Sequence, residues 1–202
     1  MIQKISLELA EIIGLLCSEG SHIISYNSYF YTSRGKIYRR NNKRSERIEF
    51  YNKDIKLIEH YQKLLFREFN HISKVTKHGK INIGKRKIIT KIIEITPLGH
   101  LKWRVPNVIS RSNDLIKIAF LRGYFDGDGT ASSRVRMFST NILGLEQVSK
   151  LLHDLNFKHT LQGPILKENR KPAYIIQISL KDEKRFLDTL RPISKIKKNS
   201  NI

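Results

Sequence analysis

The stretches IIGLLCSEG (Ile12 to Gly20) and LRGYFDGDG (Leu121 to Gly129) are variants of one pattern, and its doubling decides the fold. Each reads as the end of an apolar helix with small residues four apart, followed by an acid and a glycine. The small pairs are Gly14 with Ser18 and Gly123 with Gly127; the acids are Glu19 and Asp128. Small residues at i and i+4 share one helix face, so two such faces can pack with their backbones unusually close. That packing brings Glu19 and Asp128 together from opposite halves of the chain, as a paired-carboxylate centre on a pseudo-twofold axis. An acid followed by glycine is also an ordinary helix stop, with the glycine left-handed at C′. A single match would be read that way, but here small pair, acid and glycine recur in register. An acid at a helix C-terminus also meets the unfavourable end of the macrodipole. Two acids held there need a cation to offset their repulsion, and metal binding is the reading this supports.

The 202 residues carry a formal charge of +20, with a pI near 10.1. This length suits one large domain or two small ones. Hydrophobic residues make up 40%, enough for a real core, so the charge is no mark of disorder. Such a basic chain calls for a polyanion, and nucleic acid fits best. The basic residues are spread along the chain, no apolar run reaches the length of a membrane span, and the first residues do not form a signal peptide. No membrane partner is expected. A single cysteine excludes an internal disulfide framework and a cysteine-based zinc site, and fits a reducing, intracellular setting.

The duplication extends beyond the motifs. RIEFYNKDI (Arg47 to Ile55) aligns with RVRMFSTNI (Arg134 to Ile142), and Lys63-Leu64-Leu65 with Lys150-Leu151-Leu152. The first half carries additional residues, falling in Tyr26 to Ser45, rich in Tyr, Arg, Lys and Asn, which read as an enlarged hairpin with a turn at Arg34-Gly35. Helical spacing covers Leu7 to Ser18 and Leu115 to Asp126, the latter with N-cap oxygens offered by Ser112, Asn113 and Asp114. Amphipathic helices are expected at Asp54 to Phe69 and Asn141 to Asn156. Two further strands per half follow, including KIIEIT (Lys91 to Thr96) and YIIQISL (Tyr174 to Leu180), then short terminal helices near Pro97 to Trp103 and Asp182 to Leu190. The expected fold is α+β: two pseudo-symmetric αββαββα halves, residues 1–104 and 114–202, joined by a linker at 105–113. They pack through the motif helices, and two antiparallel sheets form a saddle. Lys195 to Ile202 reads as a frayed end.

A sheet can enter the DNA major groove, and alternate strand positions share a face. Arg134, Arg136 and Phe138 form one such set, Arg47, Glu49 and Tyr51 another, and Lys36, Tyr38 and Arg40 a third on the enlarged hairpin. The full candidate DNA-binding set adds Arg34, Arg39, Lys43, Arg44, Lys167, Arg170 and, as a hairpin tip, Lys85, Arg86 and Lys87. Any one of these could be a plain solvated charge; as a group they need a partner.

The two motifs resemble those of LAGLIDADG homing endonucleases, and two in one chain of this size resemble the monomeric branch. The second copy matches at Leu121, Gly123, Asp126, Asp128 and Gly129. The first departs, with Cys17 replacing the first acid and Glu19 the second; Cys17 is read as a small buried residue. The resemblance implies a double-strand break within a long, partly degenerate DNA site, leaving short 3′ overhangs, by a free-standing, intron-encoded enzyme. It also implies basic residues from the sheets around the acids. Lys181, at the end of the last strand, and Lys53, at the level of Ser139-Thr140, are placed there, with Thr96 as the counterpart of Lys181. Phosphodiester hydrolysis needs an activated water and charge relief, which Mg²⁺ supplies through hard oxygen ligands. Glu19, Asp128 and backbone carbonyls at Ser18 and Gly127 are the candidate ligands; Mn²⁺ or Ca²⁺ would take the same sites, Ca²⁺ without cleavage. An RNA-splicing maturase of the same fold, with intron RNA as partner, is the first alternative. A non-catalytic DNA-binding regulator is the second, although that reading expects loss of the acids.

Overall fold

The computed structural model describes residues 4–166 and 168–194; Lys167 and the Lys195 to Ile202 end lie outside the described residues. The first half runs α1 (Leu7–Glu19), β1 (Gly20–Ser33), β2 (Lys36–Tyr51), α2 (Ile55–Phe69), β3 (Lys80–Ile83) and α3 (Arg86–Ile95). A single turn, α4 (Asn107–Ser110), lies in the connecting segment. The second half runs α5 (Asp114–Asp128), β4 (Gly129–Thr130), β5 (Arg136–Ser139), α6 (Ile142–Asp154), β6 (His159–Ile165), β7 (Ala173–Ile178) and α7 (Leu180–Leu190).

α1 and α5 are capped by side chains that accept from the first turn: Ser6 from the Leu9 amide and Asn113 from the Ile116 amide. Both helices lie at the centre of the molecule, and α1 is buried without interruption from Leu9 to Cys17. Their contact is backbone on backbone. A Cβ added to Gly14 would fall 2.1 Å from the Phe120 carbonyl oxygen, and one on Gly123 would fall 2.3 Å from that of Glu11. One turn on, a Cβ at Gly127 would meet the Ser18 hydroxyl at 2.0 Å. The small residues are therefore demanded by the approach of the two helices.

Each half wraps an antiparallel sheet around this pair, in the orders β1-β2-β3 and β4-β5-β7-β6. The internal repeat is realised residue by residue. Phe50 and Met137 both point into the core, and Asp54 and Asn141 both cap the following helix. Phe50 stacks on Tyr61 of α2 at 4.1 Å between centroids.

The halves are less alike than the repeat suggests. KIIEIT is helical, not a strand, so the first sheet has three strands. The isoleucine run is compatible with either state. Ile88, Ile89 and Ile92 bury one helix face while Lys87, Lys91 and Glu94 stay exposed, so burial at helical spacing overrides β propensity. Lys85, Arg86 and Lys87 accordingly form the N-cap and first turn of α3 and not a hairpin tip. Pro97 to Trp103 is a turn-rich connection, not a helix, anchored by buried Trp103. The second half keeps the full αββαββα order, but Lys181 lies in the first turn of α7 and not at the end of a strand.

Candidate active site

Glu19 and Asp128 are the last residues of α1 and α5. The glycines after them are extended, with φ of −96° at Gly20 and −92° at Gly129, so neither is a left-handed stop. They are glycines because a side chain would collide with the preceding turn: the Leu16 carbonyl lies 2.4 Å from a Cβ at Gly20, and that of Phe125 2.4 Å from one at Gly129. The chain thus passes directly from each acid into a strand. The acids converge across the axis, since Glu19 Cγ lies 3.1 Å from the Cβ position of Gly127, the neighbour of Asp128. Asn52, just past β2, donates from Nδ2 to Glu19 Oε1 at 3.1 Å. On the other side, Asp128, Cys17, Ser18, His100, Ser139 and Thr140 are among the residues lining a hollow of about 310 Å³.

The surroundings fix which acids are available for chemistry. Asp126, the other motif acid, is buried and accepts from the Ile193 and Ser194 amides at 2.9 and 3.0 Å, tying the chain after α7 to α5. Burial pushes its carboxyl above the ordinary range against those hydrogen bonds. Cys17 is buried, and desolvation with the nearby Asp128 charge raises its thiol far out of the nucleophilic range. Burial, then Asp128, likewise keeps the Tyr124 phenol protonated. Among the described residues, no group of three or more His, Cys, Asp or Glu could hold a metal ion. The Ser18 hydroxyl itself donates to the Leu15 carbonyl at 2.9 Å.

The outer faces of the sheets form the candidate nucleic-acid interface. Arg34 (φ 50°) and Gly35 (φ 74°) make the expected two-residue turn of a long exposed hairpin. A bulge sets Asn41 and Asn42 opposite Ser28, since Asn27 pairs with Lys43 and Tyr29 with Arg40. It brings Lys36, Tyr38 and Arg40 onto the same face as Lys43, Arg47 and Glu49, although their numbers differ in parity. Tyr31 stacks on Tyr38 at 5.5 Å on that face, and Lys43 donates to the Tyr29 hydroxyl at 3.2 Å, lowering that phenol. Arg39 and Arg44 fall on the reverse face, where Arg39 covers Phe30 and Arg44 pairs with Glu46 at 3.0 Å. Arg47 and Lys80 share Glu49, whose carboxyl they lower despite its burial. In the second sheet Arg136 donates to Gln177, and Phe138, Thr160 and Gln162 share their face. Arg134 precedes the strand and is engaged by Glu183 at 2.7 Å and the Ile178 carbonyl. Arg170 borders a second hollow, of about 330 Å³, with Phe138 and Lys171. Lys53 is exposed beside Asn52.

Some contacts gave no signal in the sequence. Glu11 of α1 is buried between Arg122 of α5, whose Nε donates at 2.8 Å, and His60 of α2 at 2.7 Å. Burial alone would raise this carboxyl, but His60 and Arg122 bring it below its ordinary value. Pairing Asn52 with Glu19, and His100 with the Asp128 hollow, likewise requires the fold.

A family model for a LAGLIDADG-like domain matches residues 116–191, which contain the second motif and the sheet behind it. The homing endonuclease I-DmoI of Desulfurococcus mucosus is 32% identical over 75 residues, 37% of each chain, so the match spans little more than a third of that relative. Over the whole fold the likeness is broader. A structure of mesophilic I-DmoI variants superposes with a TM-score of 0.65 at 24% identity, covering 91% of this chain and 94% of that one. Residues 116–191 thus resemble a LAGLIDADG-like domain, and the chain as a whole shares the fold of these structures. I-DmoI in complex with DNA and Mn aligns over 97% of this chain and 98% of its own, at TM-score 0.65 and 23% identity. I-SmaMI, bound to uncleaved DNA target in the presence of calcium ions, aligns at TM-score 0.55 and 12% identity over 95% of this chain and 86% of that one. Among the described residues, no helix is long and apolar enough to cross a membrane.

Proposed function

We propose that this protein is a monomeric, site-specific homing endonuclease that makes a divalent-metal-dependent double-strand break in DNA. The observation that carries it is the convergence of Glu19 and Asp128 at the ends of two helices packed backbone to backbone, between two sheets with basic and polar outer faces. Relatives of this fold have been solved with DNA and manganese or calcium, which supports the same partner and the same class of ion here. The halves would be residues 1–104 and 114–202 about a linker at 105–113.

The donor set fits a hard cation: two carboxylates with main-chain carbonyls at Ser18 and Gly127. Bound Mg²⁺ would supply charge relief at the phosphate and an activated water. The chain's own groups do the rest. Asn52 holds the Glu19 carboxylate through Oε1. Lys53, exposed beside it, would meet a backbone phosphate. Lys36, Arg40 and Lys43 would contact phosphates, while Tyr29, Tyr31 and Tyr38 offer polar tips to base edges. A break with short 3′ overhangs at a long site, by an intron-encoded enzyme, is the specific form expected. Incubation with DNA spanning an intronless host-gene junction, with and without Mg²⁺, tests the reading. Linear product only with the metal supports it, and intact DNA under all divalent ions overturns it.

A further inference from the structure

The two acids have unequal neighbours. Glu19 is held by Asn52, with Lys53 next in sequence, but the repeat places Ser139 and Thr140 at the equivalent positions beside Asp128. Both are short and neutral. The basic group lining the Asp128 hollow is instead His100, from the connection between α3 and α4. This connection is fastened to the second half. Gly99 turns it at φ 125°, and the buried Trp103 ring packs on Tyr124 of α5 at 5.1 Å between centroids. The Trp103 carbonyl accepts from Asn141, the cap of α6, at 2.8 Å. His100 is in turn met by Lys171, from the loop between β6 and β7, whose Nζ lies 2.8 Å from Nε2. An ammonium can only donate, so Nε2 accepts and the ring proton sits on Nδ1. Lys171 also borders the adjoining hollow, which shares Phe138 and Ala173 with the first.

Building on the endonuclease reading, we infer that His100 is the phosphate-contacting catalytic residue of the Asp128 side, with Lys171 as its positioning residue. The Nδ1–H group donates to a non-bridging oxygen of the phosphate cut there, and the Lys171 ammonium adds positive charge behind the ring. The resulting enzyme is lopsided: an amide and a lysine from the end of a strand serve one acid, and a histidine and a lysine from two loops serve the other. Lys181, on the exposed first turn of α7, is then not needed for this role.

A duplex carrying the target site, labelled separately on each strand, tests this with the full chain in Mg²⁺. His100→Ala and Lys171→Met should each slow cleavage of one strand at least tenfold, accumulate nicked intermediate and leave the other strand within threefold of the parent. Affinity measured in Ca²⁺ should change by less than threefold. His100→Gln, which retains an N–H donor, should recover part of the lost rate. Both sites are exposed, so thermal unfolding should be unchanged, separating the effect from misfolding. Equal slowing of both strands, or none, overturns the assignment while leaving the endonuclease reading intact. A parent that cuts neither strand overturns that reading and this one with it.

Discussion

Glu19 and Asp126 are both motif carboxylates near a helix end, yet their surroundings give them opposite tasks. Asp126 is surrounded by backbone amides and holds the chain after α7, while Glu19 ends its helix facing the partner acid. Glu19→Gln and Asp128→Asn should each abolish double-strand cleavage while leaving DNA affinity nearly unchanged, since an amide keeps the shape and loses the charge that holds a metal. A gel following supercoiled, nicked and linear plasmid checks this, and linear product from either variant at the parent rate would remove the acids from the mechanism. Glu11 predicts a different phenotype. Its folded-state pKa is depressed, so its contribution to stability is complete above the ordinary carboxylate value and is lost as pH falls through the lower folded one. Glu11→Gln should cost about 3 kcal/mol at neutral pH, because a mostly buried Arg122 loses its counter-charge. It should also flatten the acid limb of stability against pH, as urea unfolding at several pH values would show. The motif acids were legible in the sequence because the pattern occurs twice. The Glu11 cluster was not, because Arg122 and His60 become its neighbours only when three helices pack.

At the level of elements, the doubled small-residue spacing was sufficient to place α1 against α5, and the structure adds how little room remains. Gly14→Ala would put a methyl 2.1 Å from a backbone oxygen, which no rotamer change can relieve. Overpacking of this kind costs typically ~1–3 kcal/mol, and it should also separate the acids. Calorimetry with cleavage rates checks both effects; a Gly14→Ala protein matching the parent in both would contradict the interface. Elsewhere alternation misled. A run of isoleucines carries no unique period, so α3 read as a strand until burial chose its face. In the long hairpin the extra residue at Asn41-Asn42 breaks the count, so Arg40 shares the outer face with Lys43 and not with Arg44, while its neighbour Arg39 lies on the reverse face. Arg40→Ala should flatten the log–log dependence of duplex-DNA affinity on salt by about 0.9, the value of one phosphate contact, whereas Arg39→Ala should leave it unchanged. Fluorescence anisotropy across a salt series separates the two, and equal slopes for both variants would mean that the face carrying Arg40 is not the one that meets DNA.

The whole molecule is a duplicated scaffold on which only the centre is held to symmetry. Helix packing requires the same small residues from both halves, whereas on the proposed function the sheets are free to diverge, since each would meet a different stretch of DNA. The first sheet has three strands and a long basic hairpin; the second has four short strands, with Arg136, Gln177, Thr160 and Gln162 on its outer face. On that function a charge of +20 spread over both halves would supply affinity for DNA that does not depend on sequence, and the hairpin concentrates basic residues on one side. The first half should therefore be the stronger anchor. Replacing Lys36 to Lys43 by a short turn removes Lys36, Arg40 and Lys43 from the outer face without touching the core, since β2 is exposed throughout that stretch. Hydroxyl-radical footprinting of this variant should show protection lost over the half-site under the first sheet and kept under the second. Affinity should fall, and the salt slope should flatten by about 0.9 for each phosphate contact removed. Undiminished protection of both half-sites would make the hairpin a solvated appendage and leave anchoring to the sheet bodies near the acids.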